Sequence, residues 1–214
     1  MFNFLGNTIN FFIIQRELIE ALGMNLIPRG FKTIGFFNTH QCLEWEISFV
    51  RSETVLLNTF RAPHWRAYIF SSLIFRAFLA HLGPQGIGLE HIRNIIYFMC
   101  EDDFTGWNEE QPGTHLVTIL VKLYECLGAG KMSSFFMHNR NLLKSVPQQN
   151  SSLIQGHLKK VLDNPVIHCL HALKNLECVS THKHLYPVPK WDRLYKILTV
   201  SKTDLLKIVS IYHS

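Results

Sequence analysis

LEWEISFVRSE, residues 43–53, decides the fold. Leu43, Trp45, Ile47 and Phe49 alternate with Glu44, Glu46 and Ser48. A period of two puts the apolar side chains on one face and the polar ones on the other, which predicts a half-buried strand. Ser52 stands just ahead of Thr54, Val55, Leu56 and Leu57, so the strand is expected to run directly into a helix. Upstream, Asn25-Leu26-Ile27-Pro28 reads as a short extended piece, because the residue before proline avoids the helical region. It is the evident partner for the strand, although Pro28 has no N–H to donate.

Downstream, the pattern is helical. The helix expected at His64–Leu82 has Pro63 placed for its first turn, and Gly83-Pro84 ends it. Leu89–Glu101 carries Leu89, Ile92, Ile96 and Met99 on one stripe. A helix opened by Thr114 carries Leu116, Ile119, Leu120, Leu123 and Leu127, and Gly128 and Gly130 close it. Met132–Met137 reads as a short helical turn and Asn141-Leu142-Leu143 as a buried anchor. Further helices are expected at Asn150–Leu162, Pro165–Leu176, Asp192–Leu198 and Asp204–Ile211, and one before the strand at Ile9–Leu22. Residues 179–190 form a His- and Pro-rich loop.

The 214 residues are 47% hydrophobic and 17% charged, with sixteen Phe and four Trp, so the chain can bury a sizeable aromatic core. A net charge of +5 is compatible with an anionic partner but selects none. Five widely spaced cysteines (Cys42, Cys100, Cys126, Cys169 and Cys178) read as reduced, buried thiols, which places the protein inside the cell, in cytoplasm or nucleus. The longest apolar run, YIFSSLIF, stops at Arg76 and is too short to span a bilayer. The apolar start MFNFLGNTINFFII has neither a charged leader nor a cleavage site, so no signal peptide is assigned.

Few residues suggest chemistry. Glu44 and Glu46 share a strand face, as metal-binding carboxylates do, but no Gly-Ser or Gly-Gly turn precedes them to hold a triphosphate. Glu101-Asp102-Asp103 reads as a solvated helix end. His168, Cys169, His171, Cys178, His182 and His184 are zinc-compatible types without ligand-pair spacing. No P-loop, nucleophile elbow or dinucleotide fingerprint occurs. The residues therefore give no catalytic site and no metal or cofactor site.

Three stretches, taken in order, resemble the Mab-21-like family, the relatives of cyclic GMP-AMP synthase. The first is Asn25–Gly30 with Leu43–Phe49 and Glu53, similar to that family's Pro-x-Gly, then Trp-x-(Leu/Ile)-Ser-Phe-x-x-x-Glu pattern. The second is Leu89–Glu101 with Trp107, and the third Phe135-Phe136-Met137 with Asn141-Leu142-Leu143. The resemblance implies a mainly α chain, α+β in the parent family: a C-terminal helical lobe with a remnant strand or hairpin of the sheet lobe. It divides the chain into a remnant of the nucleotidyltransferase lobe (1–59), the helical domain (60–176) and a helical tail (177–214).

The family's nucleotide cleft lies between its two lobes. By resemblance, Ser48, Glu53, Glu46, Glu90 and Arg93 fall on cleft positions. Glu46 stands where the synthase has a base-contacting Arg, and Glu90 where it has a base-stacking Tyr; Arg93 keeps the basic character of a motif Lys. Nothing matches the family's Gly-Ser turn or its acidic metal-binding strands, and no His-Cys-Cys zinc thumb lies between Glu53 and His64. The chain is therefore expected to be a fragment or short isoform, an interaction module or pseudoenzyme lobe with an unidentified protein partner. Magnesium or manganese would enter only with an upstream catalytic lobe. Any nucleic-acid binding is expected to be weak and carried by phosphate contacts. The rival expectation is part of an active synthase-like nucleotidyltransferase that makes cyclic dinucleotides and senses double-stranded nucleic acid.

Overall fold

The computed structural model describes residues 21–28, 45–82, 86–176, 181 and 190–199. Strands β1 (Asn25–Pro28) and β2 (Trp45–Ser48) pair antiparallel, with Leu26 opposite Ile47 and Pro28 opposite Trp45. Phe49 then caps α1 (Val50–Thr59), so the strand passes into helix without a linker, as its sequence implies. Six more helices follow: α2 (Ala62–Ile74), α3 (Leu89–Asp102), α4 (Pro112–Ala129), α5 (Gln148–Asp163), α6 (Pro165–Lys174) and α7 (Trp191–Thr199). The architecture is mainly helical, with one small hairpin among the described residues.

The central helix is α4, which packs against α2, α3 and α5. Leu116, Ile119, Leu120, Leu123 and Leu127 are its buried stripe, as their spacing predicts. Enclosing Leu120 and Leu123 stabilises the fold by about 2 kcal/mol each. The opposing stripe on α2 runs His64, Ala67, Ser71 and Ile74, and that on α5 runs Ser151, Ile154, Leu158 and Val161. Two polar ties hold α5 to α4: Ser151 Oγ donates to the Leu127 carbonyl at 3.1 Å and Gln155 Nε2 to that of Tyr124 at 3.1 Å. Gly130 ends α4 in the left-handed region (φ 62°), where a side chain would be strained.

Several expectations change. The strand's apolar face is only partly buried: Ile47 and Phe49 are half-covered, whereas Trp45 is 56% exposed. Phe49 stacks on Phe136 at 4.9 Å and ties the hairpin to the helical body, but Trp45 lies a further turn of the pleat away. Met132–Met137 is not a helical turn. Ser133 forms a β-bridge with Asn141, because the Asn141 side chain satisfies the backbone there instead of a helical ladder.

Helix α2 starts at Ala62, with Pro63 in its first turn, and relaxes into a π turn (Phe75–Leu79) and a 3-10 turn (Ala80–Leu82). Helix α4 opens at Pro112, where a missing N–H costs nothing. Of the thiols, Cys100 is buried but Cys126 and Cys169 are half-exposed. The helices expected at Ile9–Leu22 and Asp204–Ile211 lie outside the described residues, except that Ala21 and Leu22 are helical. Cys42, Cys178, His182, His184 and most of the 179–190 loop also lie outside.

Candidate functional site

The polar residues that meet across the helices centre on Arg93. It sits in the second turn of α3, and Glu53 sits in the first turn of α1, where a carboxylate also favours the helix dipole. Arg93 Nη2 lies 3.5 Å from Glu53 Oε2, and Nη1 donates to the Tyr68 hydroxyl on α2 at 3.5 Å. Burial works against the charge on Arg93, but Tyr68 and Glu53 outweigh it and hold the guanidinium more firmly protonated than usual. Tyr97, one turn along α3, is buried on the same face. Burial, then the Glu53 charge, pushes its phenol well above the ordinary range. Its hydroxyl, Arg93 Nε and the hydroxyl of fully buried Ser52 have no hydrogen-bond partner among the described residues.

Glu90 opens α3 with its carboxylate exposed. Oε1 lies 3.4 Å from His91 Nδ1, and the His91 ring draws the carboxyl below its usual range against the opposing effect of burial. The same Nδ1 accepts the Gly88 N–H at 2.9 Å. That shorter bond closes the first turn of α3. His64 does the same for α2, accepting the Arg61 N–H on Nδ1 at 3.0 Å. A histidine three residues into each helix thus takes the place of the Glu or Gln of a capping box.

Of the five residues placed by resemblance, Glu53 and Arg93 come together, and Glu90 lies within the field of Arg93. Ser48 pairs through its backbone with Asn25 and makes no side-chain hydrogen bond among the described residues. Glu46 stands opposite Ile27 in β2, with its side chain outside the described part. Tyr68 and Tyr97 are members of the cluster that sequence reasoning missed; the four-residue step from Arg93 to Tyr97 was the available signal.

Behind the cluster lies an aromatic wall. His64, fully buried, packs on Phe104 at 4.6 Å and Trp107 at 4.7 Å, and Trp107 stacks on His115. Arg61 donates to the Phe104 carbonyl at 2.8 Å. An apolar recess of about 10 Å³, room for about one water, opens between Leu56, Phe60, Tyr97, Cys100 and Phe135. Burial pushes the Cys100 thiol up to about 12, so it is not a nucleophile at neutral pH.

Two asparagines set the loop that follows α4. Asn94 Nδ2 donates to the Ser133 carbonyl at 2.9 Å, and its Oδ1 accepts the Phe135 N–H at 2.7 Å. Asn141 Oδ1 accepts the N–H groups of Met132 and Leu143, and its Nδ2 donates to the Gly130 carbonyl. These bonds carry Phe135 and Phe136 onto Tyr97. Residues 81–163 match the family model of the Mab-21 protein HhH/H2TH-like domain.

Over that stretch the chain is similar to a Mab-21-like C-terminal helical domain. The Mab-21 match runs from the 3-10 turn after α2 through α5, so it includes Glu90, Arg93 and both asparagine staples. Ser48, Glu46 and Glu53 lie outside it. Among the described residues, no three His, Cys, Asp or Glu side chains converge on a metal position. His168 Nδ1 is engaged by the Asn164 carbonyl at 2.8 Å, and the His171 ring packs on Tyr195.

Proposed function

We propose that this chain is a non-catalytic Mab-21-like helical lobe, a fragment or short isoform that works as an interaction module or pseudoenzyme lobe. The supporting observation is how Arg93 is spent. Its guanidinium is engaged by Glu53 and Tyr68, and the Glu90 carboxylate stands within its field. A nucleotide phosphate approaching Arg93 meets two carboxylates, and Glu90 offers no aromatic face to a base. Residues 1–59 then act as the remnant of the sheet lobe, 60–176 as the helical domain and 177–214 as its tail. The protein works inside the cell, in cytoplasm or nucleus, and no described helix is long and apolar enough to cross a membrane. It binds nucleic acid weakly if at all, through phosphates, and needs no cofactor.

The second reading is part of a cyclic GMP-AMP synthase-like nucleotidyltransferase, activated by double-stranded nucleic acid. One observation favours it: Glu53 and Arg93 meet across the boundary between residues 1–59 and 60–176, where the resemblance puts the cleft. Magnesium or manganese would then be held by an upstream lobe. Incubating the purified chain with ATP, GTP, either metal and double-stranded DNA or RNA separates the two. The first reading expects no nucleotide-linked product above a mock-purified control. A cyclic dinucleotide would overturn it in favour of the second.

A further inference from the structure

The hairpin and α1 meet the rest of the described molecule along one seam. Phe60 and Arg61, both extended, separate α1 from α2, and Arg61 is pinned to the Phe104 and Thr105 carbonyls. Helices α2 to α6 pack on one another as a body, whereas no described element runs closely along α1. Side chains hold it instead: Leu56 in the core, Phe49 stacked on Phe136, and Glu53 paired with Arg93. That pair is a weak tie, at 3.5 Å with both side chains partly in solvent.

Packing along the seam is incomplete. The recess of about 10 Å³ has Leu56 and Thr59 of α1 on one side and Tyr97, Cys100, Phe104 and Phe135 on the other, with Phe60 between them. Three buried polar groups of the two helices that meet there lack a hydrogen-bond partner among the described residues. Ser52 Oγ lies one turn from Leu56 on α1, and Arg93 Nε and the Tyr97 hydroxyl lie one turn apart on α3. A gap forfeits dispersion, and an unpaired buried polar group forfeits its hydration. Water entering the seam recovers both, so both favour parting the two sides.

We infer that the hairpin and α1 form one arm, which lifts from the helical body about Phe60 and Arg61 ahead of global unfolding. Helix-terminal residues of this kind are where hinge motion is absorbed. Lifting parts Leu56 from Tyr97 and Cys100. It bares Arg93, the Tyr97 hydroxyl and the Phe136 ring, a basic and aromatic face that the seated arm covers. Whether the Arg93 cluster takes a nucleotide does not enter, because the opening is read on a thiol.

Cys100 is the reporter. It is 4% exposed and lines the recess, so a maleimide reaches it only when the seam opens. The full chain is labelled in a series of low urea concentrations, with modification at Cys100 followed by mass spectrometry of its peptide. Amide exchange at Leu120, enclosed in α4, gives global opening in the same solutions. The expected result is that Cys100 opens on the order of a hundredfold more often than Leu120. Its urea dependence should be shallow, because lifting the arm exposes little surface. Phe49→Ala should speed Cys100 labelling about tenfold, and Glu53→Gln roughly two- to fivefold. Ile154→Val, inside the body, should speed Leu120 exchange and leave the Cys100 rate unmoved. Labelling of Cys100 with the opening constant and urea dependence of Leu120 overturns the inference, since the thiol is then freed only with the whole fold. So does fast labelling that Phe49→Ala leaves unchanged. The comparison of Cys100 with Leu120 on the unmodified chain decides even where a variant folds poorly.

Discussion

Acid should unfold this protein through His64. The ring is fully buried between Phe104 and Trp107, its Nδ1 accepts the Arg61 N–H, and Arg61 and His115 are the charged and titratable groups that bear on it. Burial, reinforced by the Arg61 charge, lowers its pKa from 6.5 to about 4, with the Phe104 backbone pulling weakly the other way. The folded pKa is depressed, so the unfolded chain binds the proton first. The contribution to stability is complete above pH 6.5, falls as pH drops from 6.5 to 4, and stays lost below that. A displacement of this size corresponds to about 3 kcal/mol, at a slope of ~1.4 kcal/mol per pH unit within the window.

His64→Gln isolates the effect. Glutamine three residues into a helix can still accept the N-cap N–H, but it does not titrate. At neutral pH the variant should be less stable by about 1–2 kcal/mol, from lost packing on Phe104 and Trp107. Urea denaturation of both proteins in steps from pH 7.5 to 4.5 gives the difference directly, because all other titrations cancel. The two stability curves should converge, and then cross, as pH falls. Parallel curves across that window would show that His64 is not held neutral by its surroundings, and the account of the aromatic wall would fail.

Other outcomes follow from single contacts. Asn94→Ala removes two bonds and leaves the Phe135 N–H unpaired in a partly buried setting, so thermal or urea denaturation should show a loss of about 2–3 kcal/mol; a loss below half a kcal/mol would refute the staple. Leu123→Ala, in the fully enclosed stripe of α4, should cost about 2–5 kcal/mol by the same measurement. At low protein concentration the amide of Trp45 should exchange far faster than that of Leu120, and equal protection would mean that the monomer completes its own sheet. Elemental analysis of the purified chain should find no stoichiometric zinc; one tightly held ion, lost on changing Cys178 and His182 together, would contradict this.

Much of the helical body was legible because its stripes are long and regular: five leucines and isoleucines at helical spacing admit no other reading of α4. The direct passage from strand to helix at Phe49 was equally plain, since the period changes there from two to helical. The failures share a cause. Met132–Met137 looks helical by composition, but its backbone bonds go to Asn94 and Asn141, and side-chain-to-backbone bonds leave no periodic trace. The exposure of Trp45 was missed because alternation reports which residues share a face, not whether anything lies against it. In the candidate site, resemblance brought Glu53 and Arg93 into view, whereas Tyr68 depends on how α2 crosses α3, a tertiary fact absent from local pattern.

The Asn94 staple also fixes an order of events. Its partners, Ser133 and Phe135, lie 39 and 41 residues further along the chain. The stripes of α3 and α4 can bury one another through contacts closer in sequence, and closing the longer loop costs entropy that the staple recovers only afterwards. The staple therefore belongs on the native side of the folding barrier. Weakening it should leave the refolding limb of a chevron plot almost unmoved and steepen the loss through unfolding. Asn94 then bears on the lifetime of the native state more than on its rate of formation.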